Sequence, residues 1–413
     1  MNTKHNTRLP RLVFIFSALT LERLGYYGFR AILVLFLVQA TAEGGLGIAT
    51  NDAISYFGIF TMLSYLLVMI GGFCADFLLS RINTILSGAV MSAIGLFGLY
   101  LSFSSATLLW PSLILIALGT SFFRPAIWAL TADICRGVGA KQDGVFTLLY
   151  LGTTIGALIS GLFVGWTTQL IGYSGSFIPL ALFMLLSGGL LFFFPHITQT
   201  ETHGRPSTRT LRSVLTPILI ILFACGLSCT FWYVFDEISN QLYPLQQSID
   251  LGGLTHAIGP FLTSFLWLPL GIAWIFVPVN SWLKLAAGIL CLVGASQVLT
   301  SALYGNNDQL LVQILVIEVL LGFSEVLIAP VIISLVSQYG SQRFIATSFA
   351  VVIFAGGLAN SLPHFLGPMT LTSLPTIISF LLTATTIILV SVGVLRTLNS
   401  RKITSPQSEQ LKQ

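Results

Sequence analysis

Residues 21–37 read LERLGYYGFRAILVLFL, and this stretch decides how the rest of the chain is to be read. It belongs to a long apolar segment, yet it carries Glu22, Arg23 and Arg30. A charge at membrane depth costs several kcal/mol on most scales, so such residues face a protein interior or a water-filled cavity and mark a pathway. On a helix Arg23, Tyr26, Tyr27 and Arg30 stand at i, i+3, i+4 and i+7 and share one face. Two guanidinium groups and two phenols on one face suit a polar or anionic guest. The alternative is a set of ion pairs that only hold helices together, a costly use of buried charge.

The rest of the chain agrees with a membrane setting. Of 413 residues 55% are hydrophobic and 8% charged, against about 25% charged in a soluble domain. The mean hydropathy is +0.92. Apolar runs of roughly 20 residues recur, which is the length of a spanning helix and not the pattern of a barrel strand. The basic start (Lys4, Arg8, Arg11) leads into an apolar run too long for a cleavable signal peptide. The chain is thus expected to be a multi-pass protein of the plasma (inner) membrane, held in the lipid bilayer.

Twelve spans are expected, at about 12–39, 53–78, 83–104, 107–132, 144–166, 173–195, 213–240, 254–278, 281–303, 309–337, 343–366 and 373–396. Lysine and arginine set their orientation. With both termini in the cytoplasm, 15 of the 18 basic residues fall on cytoplasmic stretches, and the other three (Arg23, Arg30 and Arg124) lie inside spans. The outer loops hold only acids: Glu43, Asp52, Asp250 and Asp308. That is the positive-inside pattern. It also accounts for the net charge of +4 without a nucleic-acid partner.

The polar, basic connection at 196–212 divides the chain into an N-terminal half, 1–195, and a C-terminal half, 213–398. A short polar tail, 399–413, is expected to be disordered. Two six-helix halves around a cytoplasmic linker are similar in layout to the major facilitator fold, whose substrates bind at mid-membrane. Gly152, Gly156, Gly161 and Gly165 recur near GxxxG spacing and predict close helix contact along the fifth span.

The buried charge is split by half. Arg23, Arg30 and Arg124 belong to the first half, whereas four of the five buried acids, Asp236, Glu237, Glu318 and Glu325, belong to the second, Glu22 being the exception. A cavity between the halves would have a basic wall and an acidic wall, which suits a substrate with a carboxylate at one end and an amine at the other. The carboxylates can also carry protons, whereas arginine is a fixed charge. For Glu237 and Glu318 local pairing or contact with water is the competing reading. Cys225 and Cys229, four apart, have no His or further Cys near them and are read as packing residues. No metal motif, nucleotide loop or nucleophile elbow is present, so neither a metal nor a cofactor other than the proton is expected.

In its motifs the chain resembles the proton-dependent oligopeptide transporters, the peptide transporter family of the major facilitator superfamily. That family's first span carries ExxERFxYYG followed by RAILVLxL, and here LERLGYYGFRAILVLFL matches from Glu22 onward. GGFCADFLLSR at 71–81 resembles its GGxxAD…GR, and ALGTSFFRPAIWAL its ALGTGxxKPNVSAL. FTLLYLGTTIGALI at 146–159, FWYVFDE in the seventh span and SEVLIAPVIISLVSQ in the tenth resemble further motifs in the same order.

The resemblance implies a secondary active transporter that imports di- or tripeptides with protons by alternating access, works as a monomer and is not an enzyme. It implies that Arg23, Tyr26, Tyr27 and Arg124 line the carboxylate end of the substrate site, with Tyr150, Thr154 and Trp232 also lining it. Glu325 would receive the peptide amine. Glu22, Asp236 and Glu325 would serve proton coupling. Three positions depart from the pattern: Leu19 replaces the family's first glutamate, Arg124 a lysine and Thr154 an asparagine. These departures motivate a second expectation, the same fold moving another small anion or zwitterion, or exchanging substrate without protons. A membrane-embedded enzyme or receptor is the third, and it lacks a nucleophile motif to support it.

Overall fold

In lipid no water can satisfy a bare backbone N–H or C=O, so a spanning segment must bond within itself. The computed structural model describes residues 8–136, 141–192, 211–249, 255–277, 279–304, 309–359 and 385. Its long elements are all helices: α1 (Arg8–Val38), α2 (Thr50–Phe73), α3 (Arg81–Ser102), α4 (Leu109–Ile134), α5 (Gln142–Phe192), α6 (Leu211–Ser248), α7 (Thr255–Phe276), α8 (Ser281–Tyr304), α9 (Leu310–Tyr339) and α10 (Ile345–Ala359). Among the described residues eight helices are long and apolar enough to cross a membrane. Helix α1 is not one of the eight, because Glu22, Arg23 and Arg30 dilute its apolar character. Apart from residue 385, the expected span at 373–396 lies outside the described residues, as do most of the linker at 196–212 and the tail at 399–413.

Helix α5 runs for 51 residues, about 77 Å at 1.5 Å per residue and far longer than a bilayer core. It is two helices joined at Gly172, whose φ of 71° interrupts the right-handed run. Only glycine adopts that conformation without a Cβ penalty. The break falls where the fifth and sixth spans were expected to meet. Helix α6 continues to Ser248, past the expected end at 240. Its polar last turns are supported by side chains: Gln241 donates to Glu237 (2.6 Å) and Gln246 to Glu318 (2.6 Å). Many outward side chains are large and apolar, Leu162 and Trp166 among them, as lipid contact requires.

Two compact units emerge from the contacts. The first takes the described residues within 1–137, 148–230 and 333–361. Its core is aromatic: Phe29 meets Phe60 edge-on at 5.1 Å, and Phe36 meets Phe177 edge-on at 5.1 Å. Helix α10 packs on α2 because Gly72 lacks a Cβ; one added there would strike the Ala346 carbonyl at 2.9 Å. Just beyond, Asp76 accepts hydrogen bonds from the backbone N–H groups of Ala346 (3.1 Å) and Thr347 (2.7 Å). A carboxylate there satisfies donors that the first turn of α10 leaves unpaired and opposes its dipole.

The second unit takes the described residues within 138–147, 231–332 and 362–413. Its buried ion pair joins Lys284 Nζ to Asp143 Oδ2 at 2.7 Å, and the Ser281 hydroxyl donates to the same oxygen at 2.7 Å. Lys284 also lies 4.7 Å from the Trp274 ring centre. Both charged groups are almost wholly enclosed. Removing one partner of such a pair strands the other charge and costs about 3–5 kcal/mol. Lys284→Ala is therefore expected to lower the melting temperature of the detergent-solubilised protein clearly. Adding Asp143→Ala should restore part of the loss, and an unchanged melting temperature in the single variant would contradict this account.

Candidate functional site: a basic cluster and an acidic pair

The first unit carries the basic cluster, built on α1, α2 and α4. Tyr26 is its centre, with only 2% of its surface exposed. Three guanidinium groups surround its ring: Arg124 Cζ lies 4.3 Å from the ring centre, Arg23 Cζ 5.3 Å and Arg30 Cζ 5.8 Å. Each places a cation within reach of the ring's negative face. The predicted face of α1 is therefore present but divided. Tyr26 is buried, whereas Tyr27 is 38% exposed and meets Arg23 at 5.8 Å.

Glu22 points at its chain neighbour. It accepts from Arg23 Nε at 2.5 Å and from Arg23 Nη2 at 2.8 Å, a two-pronged pair that is buried on both sides. The ion-pair alternative thus holds for these two residues. Among the described residues neither Arg30 nor Arg124 forms a salt bridge of this kind, although Arg124 lies within electrostatic reach of Glu22. Arg124 Nε is buried without a hydrogen-bond partner, and Arg30 lies over the Phe57 ring at 5.0 Å.

Two residues of α2 belong to the cluster although the sequence did not single them out. Tyr65 lies within electrostatic reach of Tyr26, Arg30 and Arg124, and Phe57 covers Arg30. The available signal was a tyrosine in an otherwise apolar run, SYLLVMIGG. The Tyr65 ring fits flat against α10 because position 357 is glycine; a Cβ there would collide with the ring.

Helix α5 sets the height of α1. A Cβ at Gly156 would lie 2.5 Å from the Thr20 carbonyl and 2.7 Å from Arg23 Cβ. A Cβ at Gly152 would meet Thr20 Oγ1 at 2.9 Å. These two glycines make the predicted close approach. Gly161 and Gly165 do not, since open space surrounds both; they lie beyond the point where the helices press together. Gly156→Val should push the helices apart beside Arg23. At least a tenfold loss of ligand affinity is expected, while the matched Gly165→Val stays near the parent value. Equal affinities in the two variants would contradict this.

Tyr150 stacks on Trp128 at 6.1 Å and 21°. Thr154 spends its hydroxyl on the Tyr150 carbonyl at 3.4 Å, an oxygen that Thr153 also reaches at 2.6 Å. Pro125 follows Arg124 inside α4 and has no N–H. The carbonyl one turn back, on Ser121, faces the position where Gly71 of α2 has no Cβ.

The second unit carries the acidic pair. Asp236 on α6 and Glu325 on α9 lie within electrostatic reach of one another. Trp232, one turn before Asp236, packs edge-on against Phe231 (5.1 Å) and Phe235 (5.6 Å). Glu237 and Glu318 are instead held by the glutamines named above, which favours local pairing for both. Among the described residues no group of His, Cys, Asp and Glu is arranged to hold a metal ion.

These helices match a known fold. The Major Facilitator Superfamily profile covers residues 15–364, and the chain belongs to that family of membrane transporters. Within it, a Bacillus subtilis transporter named YclF, described only as uncharacterised, is 33% identical over 61% of this chain and 50% of its own. The di-/tripeptide transporter of Lactococcus lactis subsp. lactis is 30% identical over 52% of this chain and 45% of its own. Dipeptide and tripeptide permease B of Salmonella typhimurium is 31% identical over 55% and 47%. The chain spans about half the length of the curated relatives it matches. A crystal structure of the peptide transporter POT in complex with sulfate superposes with a TM-score of 0.61, covering 92% of this chain and 94% of that one at 20% identity. The transporter PepTSo superposes at 0.61, covering 96% and 99% at 16% identity. These structural likenesses establish the fold.

Proposed function

We propose that the chain imports di- or tripeptides together with protons by alternating access. In this reading it has twelve spans in two six-helix halves, with both termini in the cytoplasm. The observation that carries the proposal is the cluster of three guanidinium groups around Tyr26, whose one carboxylate among the described residues of that unit is bound to Arg23. Arg124 and Arg30 then take the substrate carboxylate, with the phenols of Tyr26, Tyr27 and Tyr65 as hydrogen-bond donors. Glu325 and Asp236 take the amine and the proton, and Trp232 and Tyr150 offer apolar surface to side chains. The relatives named as di- and tripeptide transporters support the substrate class.

Acid-stimulated uptake of a labelled dipeptide into proteoliposomes tests the proposal. Uptake is expected to rise several-fold when the outside is acidic, and absence of uptake at every pH from correctly folded, correctly oriented protein overturns it. A second reading rests on Leu19. This residue is apolar, 2% exposed and one turn before Arg23, so no acid at that point contributes to a proton relay. Equal transport with and without a pH gradient would favour exchange without protons, and transport of a small anion such as nitrate in place of peptides would favour another cargo.

A further inference from the structure

Among the described residues of the first unit, the charges of the basic cluster do not balance. Arg23, Arg30 and Arg124 contribute three positive charges around one phenol. Glu22 contributes one negative charge; both its oxygens are bound to Arg23, and it also lies within electrostatic reach of Arg124. The other described acids of this unit are occupied elsewhere or stand at the surface. Asp76 caps α10, Asp133 pairs with Arg81 and Arg136, Glu43 accepts from Gln39, and Asp52 lies exposed in the first turn of α2. Position 19, on the face of Arg23 and one turn before it, holds a buried leucine. Among the described residues of this unit, the cluster therefore keeps a net charge of two positive, carried by Arg30 and Arg124 within a mostly buried aromatic shell, and Arg124 has a buried Nε with nothing to donate to.

Enclosed cations are tolerated when a counter-charge meets them. A guest with one negative charge would leave one of the two arginines uncompensated, and a guest with two would neutralise both. We propose that the substrate end received by Arg30 and Arg124 carries two negative charges, as in a peptide whose last residue is acidic. This deepens the functional reading above and rests on its anion seat.

The test compares ligands of equal shape that differ by one charge. Displacement of a labelled dipeptide is measured with Ala-Asp against Ala-Asn. Thermal stabilisation of the purified protein is measured with succinate against succinamate. Ala-Asp is expected to bind at least tenfold more tightly than Ala-Asn, and succinate to stabilise at least tenfold lower concentrations than succinamate. Leu19→Glu, which adds the missing counter-charge, is expected to bring the ratio near one, whereas Leu19→Gln preserves it. Should Leu19→Glu not fold, Arg30→Gln removes one of the two charges and is expected to abolish the preference in the same way.

Equal binding within both ligand pairs overturns the inference, as does a preference that survives both Leu19→Glu and Arg30→Gln. No binding by any of the four ligands overturns it as well. If neither dipeptide binds while succinate still exceeds succinamate tenfold, the peptide reading fails and the doubly anionic seat stands.

Discussion

Glu325→Gln is expected to abolish uptake driven by a pH gradient, with initial rates at least a hundredfold below the parent. Glutamine keeps the volume and most of the hydrogen-bonding capacity of the side chain, so the packing of α9 should survive. It removes what an amine and a proton both need, an ionisable oxygen. Asp236 lies within electrostatic reach, and a neutral amide beside it should not destabilise the protein. A hundredfold loss corresponds to about 2.7 kcal/mol, in the range for leaving a charged group without its buried partner. The check is uptake by proteoliposomes holding equal amounts of each protein, with melting temperatures measured in parallel. Normal uptake by a folded variant would remove Glu325 from the proposed site.

The second large effect concerns Arg124. Arg124→Ala should raise the KM for peptide uptake about a hundredfold, and Arg124→Lys by less than about tenfold. The alanine variant loses the cation held 4.3 Å from the Tyr26 ring. The lysine variant keeps a cation that can still lie over the ring and still attract a carboxylate. What lysine loses is the planar fork that grips a carboxylate with two parallel bonds. The ratio of the two effects therefore separates charge from geometry. Equal losses would show that the fork is indispensable and that charge alone does not hold the substrate.

The two variants report on different units of the chain, so their defects should differ in kind. Loss at Arg124 is expected in KM, because in the proposed reading that side chain holds an end of the substrate in every state that binds it. Loss at Glu325 is expected in the maximal rate under a proton gradient as well, because the same oxygen is asked to carry the proton.

Much of this was legible in the chain itself. The membrane setting follows from apolar runs that only a bilayer would leave so poor in charge. The charged positions are legible for the converse reason: Arg23, Arg124 and Glu325 stand out because membrane depth makes every charge costly. In the sequence Gly172 is one glycine among many, and only its φ shows that it parts two helices. The four glycines of the fifth span looked alike as a spacing. Gly152 and Gly156 face another backbone, whereas Gly161 and Gly165 face open space. A repeat fixes which side of a helix a residue occupies, but not where along the helix its neighbour comes close.

By itself the sequence determined that this is a helical membrane protein, which residues carry its intramembrane charge, and that Leu19 supplies none. Tertiary structure alone decided how that charge is used. It bound both oxygens of Glu22 to Arg23, gathered three arginines around Tyr26 and brought Tyr65 and Phe57 of α2 to join them. The physical reason is that helical periodicity specifies direction around an axis, whereas pairing depends on distances between axes. Those distances are set by packing, through contacts such as Gly156 against Thr20 and Gly357 against Tyr65, which link residues more than a hundred positions apart.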